Sequence, residues 1–380
     1  QHFSLARSVV APAADGASLF AGLPATEPLR LVDFAPSQPP APFAFVPRPA
    51  IVDYQSWAAA NGIRHLALSF PADLPVVAGE ANPVHLDFAP GALAALEGPW
   101  VVDLPAGWTA GPPEQLQHGE LEAPQRLRCS VTPPPDALGD VTFTARGRVR
   151  GRDHQATARL HPVPRARAPR IGAPPSLDGS DTGWTPATVL DIGTNRVWQG
   201  SATSPADLSA RARVAHDATH LWVSVDVIDD VVVSNIAADD IKGHWRSDSV
   251  EICVDPRAGA ADTTGCFKVG IFPFDAAGRV RAARDADARQ GPVEETAPGL
   301  RIASRRLENG YRVQAAIPFA LLPDLPNPPR RLGFNVLVYD GDKGDAAPGE
   351  NINECRIAWA PRSGVQGRPE DWGRLDLESP

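Results

Sequence analysis

The stretch GHWRSDSVEICVD, residues 243–255, carries an indole, three carboxylates and a thiol on one short span. Three chemistries could use that set: acid/base hydrolysis, metal ligation, or recognition of a ligand by an aromatic surface beside charge. Paired-carboxylate hydrolysis needs two acids about 5–9.5 Å apart flanking one bond. On an extended strand, residues two apart share a face. Asp248 and Glu251 differ in parity, so they project to opposite faces, which argues against that chemistry. GxSxG and HExxH are absent, and no histidine has an evident orienting acid. The chain is therefore read as non-enzymatic, with no catalytic residue.

The same parity puts Trp245, Ser247, Ser249, Glu251, Cys253 and Asp255 on one face and Asp248, Val250, Ile252 and Val254 on the other, mostly toward a core. CFKVGIF, residues 266–272, predicts the partner strand of a hairpin. If Cys253 pairs with Cys266 across it, Glu251 stands opposite Lys268, acid against base, a contact worth about 0.2–1 kcal/mol. Cross-strand cysteines at such positions can meet disulfide geometry. A Cys253–Cys266 disulfide is expected, beneath a solvent-facing surface carrying Trp245, Glu251 and Lys268. Cys129 and Cys355 are left over, either joining two domains or reduced. No cysteine spacing suits zinc or covalently attached haem.

Two acidic loops are metal candidates. YDGDKGD offers Asp340, Asp342 and Asp345, and VIDD offers Asp229 and Asp230. Carboxylates at that spacing suit oxygen ligation of calcium. The plain alternative is a solvated turn, since Asp and Gly favour turns anyway.

The elements that must position these residues are strands. The chain has 41 prolines and 32 glycines, and apolar alternation over short runs recurs between them, so the fold class is all-β. Residues 1–65 read as a Pro/Ala-rich extended arm, with one short helix at 51–62. Residues 66–164 hold short, turn-separated strands and predict an immunoglobulin-like β-sandwich. Residues 165–176, dense in Pro and Arg, read as a linker. Residues 177–380 form a second β-rich domain. Trp184, Trp222, Trp359 and Trp372 are expected in its core, and Trp198 is unassigned. A net charge of −9 disfavours a nucleic-acid partner, because phosphate binding needs clustered Lys and Arg. No apolar run approaches about 20 residues, so no membrane-spanning helix is expected. The absence of Met and the start at Gln1 read as a processed or excised chain, with a secreted or cell-surface location expected.

The order of motifs carries a resemblance. LDG with Trp184, HLWVSV running into Asp229-Asp230, WRSDSVEICVD, YRVQAAIP, LGFNV with Asp340 and Asp342, the Trp359 strand and the closing DWGRLDL follow one another over residues 177–377. Together they resemble the family 9 carbohydrate-binding modules and their DOMON-like relatives. The resemblance implies a jelly-roll sandwich, non-catalytic, with structural calcium in its loops. It implies that Trp245 is one wall of an aromatic clamp, Glu251 a hydroxyl-binding acid and Lys268 a basic contact, usually Arg in the family. A second clamp tryptophan is missing, and SGVQGRPEDWG places Gln366 near its position. Some relatives hold haem through methionine; this chain has none, so haem is not expected. VVDLPAGWTAGPPEQ with CSVTPP is similar to the Ig-like modules found beside sugar-binding domains in secreted glycosidases. The function this implies is a carbohydrate-binding region that tethers a parent protein or cell surface to glycan. The alternative is a structural subunit of an extracellular filament, self-assembling through residues 1–65 packed on a neighbour.

Overall fold

The computed structural model of the protein describes residues 41–63, 72–111, 114–115, 125–237, 242–285 and 289–379. Most of the expected arm lies outside these residues. Its described part is a strand, Phe43–Phe45, followed by a helix, Pro49–Ala60, close to the helix expected at 51–62. Pro49 opens that helix, where a missing N–H costs nothing.

Phe43–Phe45 is not a free arm. It pairs antiparallel with Asn82–Phe88, which pairs in turn with Gln125–Thr132. A second sheet runs in the order Ala72–Val77, Arg152–Val163, Val141–Val149, Leu96–Asp103. Alternating apolar residues from the two sheets meet: Phe43, Phe45, Leu86 and Leu127 from one, Val76, Phe143, Ala145 and Leu160 from the other. This is a β-sandwich built from period-two patterning.

The C-terminal part is a larger sandwich. One sheet is ordered Thr188–Ile192, Leu208–His216, His220–Asp229, Gly310–Pro318, Arg301–Leu307. The other runs Arg165–Ala168, Gly373–Leu377, Arg331–Asp340, Ser249–Asp255, Phe267–Phe272, Arg281–Arg284, Gly291–Pro292. Cys355–Ala358 and Val197–Gly200 extend it beside Arg331–Asp340. Between the sheets lie Val223, Val225, Val250, Ile252, Val254, Val313, Phe334 and Val336, among others. Trp184, Trp222, Trp359 and Trp372 are all buried, as packing positions should be. No described helix is long and apolar enough to cross a membrane.

Within the stretch read as a linker, Arg165–Ala168 is a strand, parallel to Gly373–Leu377 at the edge of the C-terminal sheet. An edge is where a proline-flanked segment can pair, because one side of its ladder is free. Only Pro164 separates it from the end of Arg152–Val163 in the other sandwich.

Two expectations about the hairpin are corrected. Cys253 pairs with Lys268 and Glu251 with Gly270, a register two residues away from the one that would face Cys253 to Cys266. All four cysteines are buried free thiols, so the Cys253–Cys266 disulfide does not form. The cause lies in the connection, residues 256–266. The Asp255 carboxylate accepts the N–H groups of Arg257 at 3.0 Å and of Gly259 and Ala260 at 2.7 Å. That turn has its own structure, and it sets the register. Because the slip is even, every side chain keeps its face.

The second correction concerns exposure. All seven residues of Ser249–Asp255 are buried. Its non-core face is covered, not open to solvent: Ala260 of the connection and Val365 and Trp372 of residues 361–372 pack over Cys253, Leu337 and Tyr339.

Candidate functional site

Glu251 is the centre of the covered face. It is 1% exposed, and Lys268 is 6% exposed. Lys268 Nζ lies 2.7 Å from Glu251 Oε1. Tyr339 Oη donates to Glu251 Oε2 at 2.6 Å, and His244 Nε2 lies 3.3 Å from the same oxygen. Lys268 also reaches Asp285 at 3.3 Å. The pair is diagonal in the observed register, within reach because a lysine spans the offset of two residues. Burial pushes the Glu251 carboxyl up. The Lys268 charge and the His244 contact outweigh it, so Glu251 is held well below the ordinary carboxylate range. Burial likewise opposes the Lys268 charge, and Glu251 reverses that, holding the ammonium above its usual value.

His244, Glu251 and Asp285 lie close enough together to share a cation. The Lys268 ammonium already lies against two of them, so the cluster carries its own cation.

The backbone makes room for this arrangement. A Cβ on Gly270, opposite Glu251, would fall 2.1 Å from His244 Nδ1. The imidazole therefore occupies space that only glycine leaves. Beside it, Trp245 packs edge-on against His244, ring centroids 5.3 Å apart, and stays 37% exposed. It is the solvent-facing part of the cluster. His244 also meets Tyr339 edge-on at 5.3 Å, and Tyr339 meets Trp198 at 6.4 Å. The Arg356 guanidinium sits 5.1 Å from the Tyr339 ring and 5.3 Å from that of Trp198, and donates from Nε to Asn353 Oδ1 at 2.6 Å. Among the described residues the buried indole N–H of Trp198, which packs against the same apolar cluster, has no partner, and neither has Oε1 of Gln366, the residue after Val365. Chemically, the arrangement offers a half-exposed indole, fixed charges that cancel, and hydrogen-bonding groups left over.

Trp245, Glu251 and Lys268 are thus brought together, with Gln366 on the loop that covers Cys253. Sequence reasoning missed His244, Tyr339, Asp285, Arg356 and Trp198. Only His244 had a signal, as the neighbour of Trp245.

The acidic candidates separate into two groups. Asp229 and Asp340 converge with Asp248, all three buried; Asp230 and Asp342 converge with Asp207 at the rim. Asp345 joins neither. Asp248 accepts the N–H groups of Val233 at 2.5 Å and Gly341 at 3.0 Å. Among the described residues Asp229 Oδ2, Asp340 Oδ1 and the Tyr311 hydroxyl have no partner. Among the described residues no basic side chain pairs with the buried trio. Burial pushes Asp229 up to about 6, with Asp342 and Asp230 adding to it, and Asp340 to about 8; burial and the Asp229 charge raise Asp248 well above its ordinary value. Converging carboxylates with orphaned buried oxygens, and only oxygen donors, fit a hard cation such as calcium. Asp229, Asp248, Asp340 and the Tyr311 oxygen would hold it, and it would neutralise their charge.

A family model, carbohydrate family 9 binding domain-like, matches residues 177–379, more than half of the chain. The chain belongs to this family. The carbohydrate family 9 binding domain-like region therefore contains both clusters. Among solved structures, the chain is similar to a family 9 carbohydrate binding module from Caldicellulosiruptor kristjanssonii in complex with cellotriose, at 20% identity and TM-score 0.43, over 57% of this chain and 94% of that one. It is also similar to such a module from the same organism in complex with glucose, at 20% identity and TM-score 0.42, over 57% and 96%. No curated protein matches the chain.

Proposed function

We propose that the protein is a non-catalytic carbohydrate-binding region. The observation that carries this reading is the half-exposed indole of Trp245, packed on His244, which in turn contacts Glu251 of the neutralised Glu251–Lys268 pair. An indole face stacks on the apolar face of a pyranose, and the buried, already paired acid and base fix the imidazole beneath it. Family membership supports the same reading. Asp248 and Glu251, each engaged in its own cluster, do not flank a common bond.

Trp245 is the proposed ligand contact, the buried Glu251, neutralised by Lys268, acts beneath it through His244, and Gln366, Trp198 and Arg356 are the proposed neighbouring groups. Calcium is the proposed structural ion, at Asp229, Asp248 and Asp340 and, at the rim, Asp230 and Asp342. The role that suits such a module is tethering a parent protein or a cell surface to glycan outside the cell. The filament alternative is less favoured, because the described part of the arm, Phe43–Phe45 and Arg48, is engaged with its own chain. Calorimetric titration with cello- and xylo-oligosaccharides tests the proposal. Binding by the wild type that disappears in Trp245→Ala is expected; no heat with any of these sugars overturns it.

A further inference from the structure

Arg48 lies between Phe43–Phe45 and Pro49–Ala60, on the N-terminal sandwich, and reaches into the C-terminal one. It is buried, and Nη2 contacts Asp371 Oδ1 at 2.9 Å. It also pairs with Glu370 and lies 3.8 Å from Asp73. Asp371 is fully buried and takes two further arginines, Arg362 at 3.3 Å and Arg368 at 3.0 Å. Arg362 pairs back to Asp73 of Ala72–Val77. Acids and arginines of both sandwiches thus form one network across the junction.

That network grips the loop that closes the ligand-facing cluster. Residues 361–372 contain only two short 3-10 turns, Val365–Gly367 and Pro369–Asp371. Trp372, next to Asp371, donates its indole N–H to the Val365 carbonyl at 2.7 Å. Val365 is buried against Tyr339 and Cys253, and Gln366 follows it. A continuous line of contacts therefore runs from Arg48 through Asp371, Trp372 and Val365 to Gln366. A buried network of this kind holds its members in one arrangement, because removing one charge strands its partners.

We propose that Arg48 is a positioning residue for residues 361–372, so that the N-terminal sandwich is part of the scaffold of the ligand site. The binding consequence rests on the carbohydrate reading; the ordering of the loop does not. The test uses the full chain with Arg48→Met and Arg48→Lys. Lys keeps the charge but cannot bridge several carboxylates with a planar fork. Hydrogen exchange without ligand is followed over residues 361–372, with Ser249–Asp255 as internal reference, and cellotriose is titrated calorimetrically. In Arg48→Met, exchange over 361–372 accelerates by roughly tenfold or more while the reference strand is unchanged, and cellotriose affinity falls by a similar factor. Arg48→Lys is intermediate in both, and it carries the test if Arg48→Met does not fold. Unchanged exchange over 361–372, or equal acceleration in the reference strand, overturns the proposal. A wild type that takes no cellotriose overturns the carbohydrate reading instead, and the exchange comparison still decides the role of Arg48.

Discussion

Two buried acid clusters sit on opposite faces of one strand and settle their charge in different ways. Glu251 is neutralised from within the chain by Lys268 and further held by Tyr339 and His244. Asp248, three residues earlier and of opposite parity, shares its cluster with Asp229 and Asp340 and has no basic partner among the described residues. The first is finished by the polypeptide alone and is set up before any ligand arrives. The second has no internal cation among the described residues. The two faces therefore differ in whether the chain itself supplies the neutralising charge.

The largest effect that would break this contrast is loss of the internal cation. Lys268→Met leaves Glu251 buried and unpaired, and should destabilise the protein by about 3–5 kcal/mol. Denaturant unfolding checks this, and adding Glu251→Gln to the same chain should recover part of the loss. The acidic trio should respond to calcium instead. A calcium concentration about a hundredfold above its dissociation constant should stabilise the wild type by about 2.7 kcal/mol. A chelator should lower the melting temperature accordingly, and Asp340→Asn should abolish the calcium response. Gly270→Ala should cost about 1–3 kcal/mol through overpacking against the His244 ring and weaken sugar binding.

Acid titration sharpens the comparison further. Glu251 has a folded pKa below its ordinary 4.5. Its contribution is therefore complete above that value and is lost as pH falls through the lower folded value. Melting temperatures below about pH 4.5 should fall more steeply in the wild type than in Glu251→Gln, with no difference in slope from pH 6 to 8. The smallest effect on stability is expected for Trp245→Ala, within about 0.5 kcal/mol because the indole is half in solvent. That same variant should lose sugar binding, which separates recognition from folding.

Much of the fold was legible because strand parity is robust. Val250, Ile252 and Val254 went to the core, and Trp184, Trp222, Trp359 and Trp372 went to packing positions, because alternation and aromatic placement survive any even register slip. The slip itself was not legible. It depends on how the Asp255 carboxylate organises residues 256–260, a local bond set that cross-strand pairing rules do not contain. The burial of Glu251 was missed for a related reason. What surrounds it includes Tyr339, 88 positions away on a third strand, together with His244 and Lys268, and nothing in the hairpin announces that partner. Asp248 was placed toward the core by parity, and its meeting with Asp229 and Asp340 follows only from the order of strands in two sheets. Tyr339 and Gly270 read as ordinary strand residues, and their roles appear only once His244 occupies the space between them.

The junction at Pro164 has a mechanical corollary. Arg152–Val163 ends one sandwich and Arg165–Ala168 begins as an edge strand of the next, with a single residue between them. Slack is absent there. A pull entering through the N-terminal sandwich arrives as shear along the parallel ladder between Arg165–Ala168 and Gly373–Leu377. Its bonds would share the load together rather than unzip one at a time.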